Sequence, residues 1–421
     1  MTDASALAAA ARALDDSKVA WAILRRTFDT HRPTGYVDIL IEPAGMAGAV
    51  ALLRAAGFIT LPWTDDSSRG MLRYDPVDDS WLWLDLQEIL AFGGKRVPAG
   101  TIQDMLGRRR PSGDLVLLDP GDEFGCILAR TLLDGRSMEE RHRARLVDLV
   151  AEVDAAVAVE APFARWLNQV AEPPAKVERA WRLVASGAWS DLEALGGSRR
   201  PRTNADGAPR RARVAARAFV RAVTGQGGRA PSVALLGPDG AGKSTLAATL
   251  EERYPFATRR IYMGVGPPPG TPRKPFVLAA PASAGGLLLQ WSRFLAGRYH
   301  QYRGRLVIFD RYMEDPWLPL PAGASLPRRI GRRVRAAISC PPADLMLVLD
   351  APGTEMYARK GEHSATLLEV QRQRYLRLGE RVPHAIVIDA TAGTDAVARR
   401  AAALIWRRLQ VTWGGASRNQ L

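Results

Sequence analysis

One stretch of the chain, residues 232–250, leaves little freedom in how it can fold. Four consecutive apolar residues beginning at Val233 precede the run Gly-Pro-Asp-Gly-Ala-Gly-Lys-Ser-Thr, which extends from Gly237 to Thr245. Leucines then recur four residues apart, which is the spacing of one face of a helix. A buried strand, a glycine-rich turn and a helix in this order form the context in which G-x-x-x-x-G-K-[ST] predicts a phosphate-binding loop.

The residue types of this loop match the parts of a nucleoside triphosphate. Glycines let backbone N–H groups curl around phosphates, and the following helix directs its N-terminus at the same anion. We expect Lys243 to reach the β- and γ-phosphates and the Ser244 hydroxyl to bind Mg²⁺, so ATP and Mg²⁺ are the expected cofactors. The predicted nucleotide-binding residues are Gly237, Asp239, Gly240, Ala241, Gly242, Lys243, Ser244 and Thr245.

Length and composition limit the class of protein. A chain of 421 residues is longer than a domain with a single hydrophobic core usually is, so two domains are expected. Hydrophobic residues make up 47% and charged residues 24%, as in soluble globular proteins. Two distant cysteines and scattered histidines suggest neither a disulfide framework nor a metal site, and no stretch has the pattern of a signal peptide or a membrane span. We therefore expect a cytoplasmic location, and the net charge of +14 suits anionic partners such as nucleotides, nucleic acid or a membrane surface.

The first 114 residues show a strand–strand–helix–strand pattern with an aspartate on each of two strands. Asp38 lies in the second strand and Asp85 in the later one. The plan resembles the nucleotidyltransferase superfamily, in which two carboxylates two residues apart and a third on a neighbouring strand hold metal ions. Here Asp38 and Asp85 match two of the three, and Tyr36 replaces the first. Because a two-metal site needs bridging oxygen donors, we expect an α+β fold without nucleotidyl transfer. The plainer interpretation is that both aspartates cap strand ends.

Two segments separate this core from the phosphate loop. Helical spacing dominates residues 115–196, which we predict to be a helical annex. Residues 197–229 form a predicted basic linker, in which arginines far outnumber acids. The linker either binds a polyanion or is simply solvated. Because few aromatic residues lie among its arginines, nucleic-acid binding is not the favoured interpretation.

From residue 230 to residue 421, apolar strands alternate with helices. Strands that are apolar throughout indicate a parallel sheet covered by helices on both faces, which is the α/β class of the P-loop NTPase fold. The predicted strands after the loop are Arg260 to Met263, Leu306 to Asp310, Asp344 to Asp350 and Ala385 to Asp389. Ligands on such sheets bind at the carboxyl ends of the strands, where Gly237, Asp310 and Asp350 fall.

This C-terminal part resembles the thymidylate kinase family of P-loop nucleoside monophosphate kinases. The matching pieces are the phosphate loop with Asp239 inside it, the strand end Asp310-Arg311-Tyr312, and the segment Arg359-Lys360-Gly361-Glu362-His363 followed by Arg372, Arg374 and Tyr375. The resemblance implies a soluble transferase that moves a phosphoryl group from Mg-ATP to a phosphorylated acceptor. Members of this family are often dimers, so a homodimer is compatible with the resemblance.

The resemblance also implies roles for single residues. Asp310 would bind Mg²⁺ together with Ser244, and Arg311 would hold the acceptor phosphate with its guanidinium fork. Asp239 would accept a hydrogen bond from an acceptor hydroxyl, and Tyr312 would line the same acceptor site. The implied lid residues are Arg359, Lys360 and Arg372, and the implied catalytic residues are Lys243, Arg311 and Arg359.

The acceptor site departs from the family pattern in one place. After its second strand the family has an arginine-glutamate-proline-glycine stretch, where this chain has Tyr262 to Pro267. We therefore predict an altered acceptor pocket, with a nucleoside monophosphate as the acceptor class. A basic cluster, Arg328 to Arg335, either lines the path of an anionic acceptor or forms a solvated helix face. Two rival functions stay open: a nucleotide-binding regulatory or scaffold protein without turnover, and a nucleic-acid-binding ATPase.

Overall fold

The computed structural model describes residues 3–25, 34–62, 68–135, 137–171, 176–196, 229–263, 282–312, 325–326, 330, 334, 338–361, 363–382 and 384–414. The chain divides into two compact units, Met1–Val214 and Ala215–Leu421. The finer domain boundaries given above stay predictions. Linker residues 197–228, the altered loop from residue 264 onward, Glu362 and the arginines of the second basic cluster lie outside the described residues.

The first unit is built on a seven-stranded mixed sheet with the strand order β3-β4-β5-β2-β1-β9-β8. Its strands are β1 (Trp21–Ile23), β2 (Thr34–Ile41), β3 (Ile59–Thr60), β4 (Ser68–Asp75), β5 (Ser80–Gln87), β8 (Arg110–Ser112) and β9 (Leu115–Leu117). A separate hairpin consists of β6 (Ala91–Phe92) and β7 (Lys95–Arg96). The accompanying helices are α1 (Asp3–Asp16), α2 (Met46–Ala55) and α3 (Ala99–Gly107).

The period of two along β2 distributes its residues between two cores. Val37, Ile39 and Ile41 are inaccessible in a core formed with α1 and α2. Leu40 points the other way and packs into a second core. Asp38 shares that second face, and the parallel register of β2 and β5 sets it directly beside Asp85.

The second core of this unit is helical. It includes α4 (Pro120–Leu132), α5 (Glu140–Glu152), α6 (Ala155–Glu160), α7 (Pro162–Val170), α8 (Lys176–Ala185) and α9 (Trp189–Leu195). The stretch predicted to be mostly helical begins with a short strand, Leu115–Leu117, which pairs with both β1 and β8. Asp119 caps α4 by accepting a hydrogen bond from the backbone of Gly121.

The second unit contains a five-stranded, wholly parallel sheet with the order β11-β12-β10-β13-β14. A parallel sheet was predicted from the apolar strands that alternate with helices in the sequence. The strands are β10 (Ser232–Leu236), β11 (Thr258–Tyr262), β12 (Leu306–Asp310), β13 (Leu345–Asp350) and β14 (Ala385–Asp389). The helices are α10 (Lys243–Arg253), α11 (Ala282–Tyr302), α12 (Gly353–Lys360), α13 (Ala365–Arg381) and α14 (Thr394–Trp413).

Helices cover both faces of this sheet. Ala234 and Leu236 share a core with Phe294 of α11 and Leu378 of α13. Val233 and Leu235, which point to the opposite face, are equally inaccessible to solvent. No helix among the described residues is both long enough and apolar enough to cross a membrane.

Asp344 joins three elements at the amino edge of the sheet. Its carboxylate accepts two hydrogen bonds from the Arg229 guanidinium, at 2.6 and 2.8 Å. Ser232 donates to it from its backbone N and its hydroxyl, both at 2.9 Å, and Gln301 of α11 donates from Nε2 at 3.0 Å. These donors outweigh the cost of burial and lower the pKa of Asp344 to about 2. The carboxylate therefore ties β10, α11 and the start of β13 together.

Candidate nucleotide-binding site

The loop between β10 and α10 depends on glycine in its backbone. Gly237, Gly240 and Gly242 have φ values of +140°, +88° and +95°. A Cβ atom on Gly240 would lie 2.5 Å from the carbonyl oxygen of Met356, and one on Gly237 would lie 2.9 Å from that of Leu349. The loop thus packs against the backbone of β13 and α12, and side chains at these two positions would push it away.

Comparison of two glycines tests this packing. We expect Gly240→Ala to lower the free energy of unfolding by roughly 3 kcal/mol, because it adds steric overlap with Met356 to the cost of a left-handed alanine. Gly242→Ala is the matched control, since its φ is similar but no atom lies within 4 Å of the added Cβ. It should cost only about 1 kcal/mol. Urea denaturation of both variants measures the difference, and equal losses would contradict the proposed contact.

Lys243 opens α10 with its amino group folded back into the loop. Nζ donates to the carbonyl oxygens of Gly237 and Pro238, at 2.7 Å each, and the side chain is 8% exposed. Neutral carbonyls are weak partners for a cation compared with phosphate oxygens. Ser244 and Thr245, the next two residues, are exposed at the N-terminus of the helix. An anion at this position would meet the lysine, the hydroxyls and the positive end of the helix dipole together.

Asp239 connects the loop to the end of β12. Its carboxylate pairs with the Arg311 guanidinium at 2.5 Å, and Lys243 Nζ lies 3.9 Å away. His363 Nε2 approaches the same carboxylate to 4.0 Å. Arg311 has a φ of +61°, which is uncommon for a residue with a side chain and directs the chain away from the strand.

Asp239, Lys243 and Arg311 border a cavity of about 220 Å³ at the carboxyl edge of the sheet. The cavity is lined by Leu235, Leu236, Gly237, Pro238, Asp239, Lys243, Arg311, Gln371, Arg374 and Tyr375. Three cationic side chains therefore surround it with a single acidic one. Gln371 was not among the predicted site residues, and its only signal in the sequence is its position four residues before Tyr375 on the same face of α13.

Asp310 is also at this edge but pairs with a residue that the sequence did not indicate. Asp310 is 5% exposed, and its carboxylate accepts a hydrogen bond from the Arg260 guanidinium of β11 at 2.5 Å. The parallel register sets Asp310 beside Leu235 of β10 and Tyr262 of β11. Arg260, two residues before Tyr262, thus reaches along its strand to the carboxylate. Among the described residues, no group of three His, Cys, Asp or Glu side chains could hold a metal ion.

Three other predicted site residues lie elsewhere. Tyr312 does not line the cavity: it is 3% exposed, its ring packs 5.0 Å from that of Phe309, and its hydroxyl donates to the carbonyl of Pro341. Arg372 donates to Asp350 at 2.5 and 3.1 Å and to Glu369 at 3.0 Å. Lys360 is exposed at the last position of α12.

Arg359 lies at a second cavity, of about 200 Å³, on the other side of the loop. Its guanidinium donates to Glu355 at 3.0 Å and to the carbonyl of Ala390 at 3.2 Å. The cavity is lined by Ala241, Gly242, Thr245, Leu246, Leu349, Arg359, Ala390, Gly393, Thr394 and Val397. The structure therefore brings Lys243, Asp239 and Arg311 together and separates Arg359 from them.

Comparison with known proteins gives sequence relatives of one kind. No protein-family model matches the sequence. The thymidylate kinase of Xanthomonas campestris pv. campestris is 32% identical over 193 residues, which are 41% of this chain and 82% of that kinase. The thymidylate kinase of Xanthomonas oryzae pv. oryzae is 29% identical over 192 residues with the same shares of both chains.

Among solved structures, the deoxyadenosine kinase of M. mycoides with bound dATP is similar over 41% of this chain and 96% of the kinase chain. Its sequence identity is 15% and its TM-score 0.29, so the likeness supports no argument about this site. The sequence relatives are a stronger guide, since the aligned part spans most of a relative at 32% identity. The chain belongs to the thymidylate kinase family.

Proposed function

We propose that the second unit transfers the γ-phosphoryl group of Mg-ATP to the phosphate of a small acceptor, with a nucleoside monophosphate as the favoured class. The observation that carries this proposal is the meeting of Lys243, Asp239 and Arg311 at one cavity beside the phosphate loop. Catalysis of this kind needs no covalent intermediate. It depends on holding donor and acceptor in line and on neutralising charge on the transferring group.

The phosphate loop supplies the donor site. Lys243 would exchange the neutral carbonyl oxygens of Gly237 and Pro238 for phosphate oxygens, because the negative charge of phosphate attracts the ammonium more strongly. Its burial keeps water from competing for the same charge. The loop N–H groups and the start of α10 complete the cradle.

Mg²⁺ fits the oxygen donors that the site offers. A serine hydroxyl and a carboxylate are the hard ligands that this ion prefers, and Ser244 and Asp310 would hold it. When bound, the ion would neutralise charge on the β- and γ-phosphates. Arg260 already holds one oxygen of Asp310 and so fixes the orientation of that carboxylate.

The acceptor class follows from the pair formed by Asp239 and Arg311. A guanidinium fork matches phosphate oxygens, and a carboxylate accepts from a hydroxyl, so a molecule that carries both groups could replace the ion pair with two new contacts. A nucleoside monophosphate has a phosphate and sugar hydroxyls. Arg374 adds a further positive charge to the lining, which favours an anionic acceptor over a neutral one.

The position of Arg359 changes its proposed role. The sequence-based prediction placed it on the transferring phosphoryl group, but its side chain borders the second cavity together with Leu246, Leu349 and Val397. Apolar walls and a planar guanidinium suit an aromatic base. We therefore assign Arg359 to the base of the nucleotide, and the Lys360 and Arg372 lid roles stay predictions.

Turnover with a panel of acceptors tests the proposal. Release of ADP from ATP would be followed in a coupled assay with thymidylate, other nucleoside monophosphates and small phosphorylated metabolites. We expect acceptor-dependent ADP release that requires Mg²⁺. Tight ATP binding without acceptor-dependent release would instead support the regulatory or scaffold function.

The role of Arg311 gives a more specific prediction. We expect Arg311→Ala to raise the KM for the acceptor roughly 50-fold, since a charged hydrogen bond to phosphate contributes roughly 1.5–3 kcal/mol. The KM for ATP should change little, because the loop contacts are intact. Arg303→Ala, which removes a half-buried arginine directly after α11, is the control. A rise in the KM for ATP instead would place Arg311 on the donor.

A further inference from the structure

The first unit contains a compact polar cluster at the junction of β1, β2 and β5. Its members are Arg25, Tyr36, Asp38, Asp85 and Gln87. Asp38 and Asp85 lie side by side in the parallel register, and Asp38 is 7% exposed. This is the place where resemblance to nucleotidyltransferases would put metal-binding carboxylates, so the contacts of each oxygen decide whether a divalent ion fits.

Three of the four carboxylate oxygens already face hydrogen-bond donors. Gln87 Nε2 donates to Asp38 Oδ1 at 2.9 Å and to Asp85 Oδ2 at 3.1 Å. The Tyr36 hydroxyl lies 3.1 and 3.2 Å from the same two oxygens. The Arg25 guanidinium pairs with the other oxygen of Asp38. A metal ion needs carboxylate lone pairs directed at it. Here those lone pairs instead face the amide of Gln87, the hydroxyl of Tyr36 and the guanidinium of Arg25.

The charges of the cluster agree with these contacts. Arg25 brings one positive charge to two carboxylates and is itself largely buried, with a side chain that is 11% exposed. Burial and the neighbouring charge of Asp38 raise the pKa of Asp85. Burial also raises the pKa of Tyr36, so its hydroxyl stays a neutral donor. The donor set therefore does not fit a divalent metal.

We propose that Arg25 permanently supplies the positive charge that a metal ion would bring to this carboxylate pair, so that the first unit is complete without metal. Tyr36 contributes in two ways. It stands where the resemblance would put the carboxylate that bridges two ions, and its hydroxyl lies within hydrogen-bond distance of one oxygen each of Asp38 and Asp85. This inference does not depend on the kinase function of the second unit.

Binding of Mn²⁺ to the nucleotide-free full chain tests the proposal, with free Mn²⁺ followed by electron paramagnetic resonance. The Ser244→Ala variant serves as the background, so that the phosphate loop contributes no ligand. We expect no Mn²⁺ uptake that depends on Asp38, as judged by comparison with Asp38→Asn. Uptake that Asp38→Asn abolishes would overturn the proposal, whatever the outcome with other variants.

A second arm asks whether the site can be converted. Tyr36→Asp combined with Arg25→Gln restores a third carboxylate and removes the internal cation. We expect this variant to unfold at a lower temperature than the parent in chelator, and to recover stability and take up Mn²⁺ when the ion is added. Tyr36→Phe is the matched control and should show no response to Mn²⁺. A folded double variant that ignores Mn²⁺ would show that Arg25 and Tyr36 are not what excludes the metal. A variant that folds only with Mn²⁺ agrees with the proposal, and one that folds in neither condition contradicts it, because the added carboxylate should let the ion replace the lost charge of Arg25.

Discussion

Lys243→Ala is expected to lower kcat for phosphoryl transfer about 1,000-fold, the upper end of what removal of one electrostatic stabiliser costs. Nζ is buried in the loop and lies within reach of both Asp239 and the loop carbonyls. Lys243 is the one cationic side chain of the loop from Gly237 to Thr245, so in the proposed site the loop's charge on the transferring phosphoryl group is lost. The coupled ADP-release assay at saturating ATP and acceptor measures the loss.

A matched lysine controls for this substitution. Lys95 also donates from Nζ to a backbone carbonyl, that of Val170 at 2.7 Å, but it belongs to the first unit. Lys95→Ala removes the same kind of contact and should leave turnover unchanged. Circular dichroism would confirm that both variants fold. Retention of more than a tenth of the parent rate by Lys243→Ala would mean that the loop does not hold the transferring group.

The second large effect concerns stability. Asp344→Asn is expected to lower the free energy of unfolding of the second unit by roughly 3 kcal/mol, as for other buried ion pairs that lose one partner. Arg229 would lose its carboxylate, and the Ser232 and Gln301 donors would face an amide that offers one acceptor oxygen instead of two. Asp389→Asn, at an exposed position at the end of β14, is the control and should leave unfolding nearly unchanged.

The pH dependence of the same variant gives an independent check. The folded-state pKa of Asp344, about 2, lies below its ordinary value of 3.8. The stabilisation is therefore fully present above about pH 4 and is lost as the pH falls towards 2. We expect the stability difference between the parent and Asp344→Asn to shrink across this window in urea titrations. A difference that stays constant from pH 6 to pH 2.5 would mean that the charge of Asp344 is not what stabilises the sheet edge.

The sequence predicted much of the second unit because its signals are local. A run of apolar residues, a glycine-rich turn and a helical repeat are each contained within about 20 residues, and each has few structural solutions. The parallel sheet and the position of Gly237 and Asp310 at its carboxyl edge followed from that pattern. The first unit was harder. The strand Leu115–Leu117 is short and apolar, and no local period distinguishes it from the start of a helix.

Contacts between distant segments could not be predicted in this way. Arg260 meets Asp310, 50 residues further along the chain, because their strands share a register that only the assembled sheet defines. Tyr312 follows two site residues in the sequence but is buried. It comes directly after the left-handed backbone conformation at Arg311, and its side chain packs in the core of the second unit. Arg359 borders the second cavity because of where α12 packs against the loop.

The amino-acid sequence alone thus determined the phosphate loop, the class of the C-terminal fold and the set of charged residues available to a site. Only the tertiary structure decided which of these residues share a cavity, and that the Arg25 guanidinium pairs with Asp38. The physical reason is that backbone conformation depends largely on residues nearby in the sequence. The ion-pair partner of a charged side chain depends instead on strand register and helix packing between distant segments.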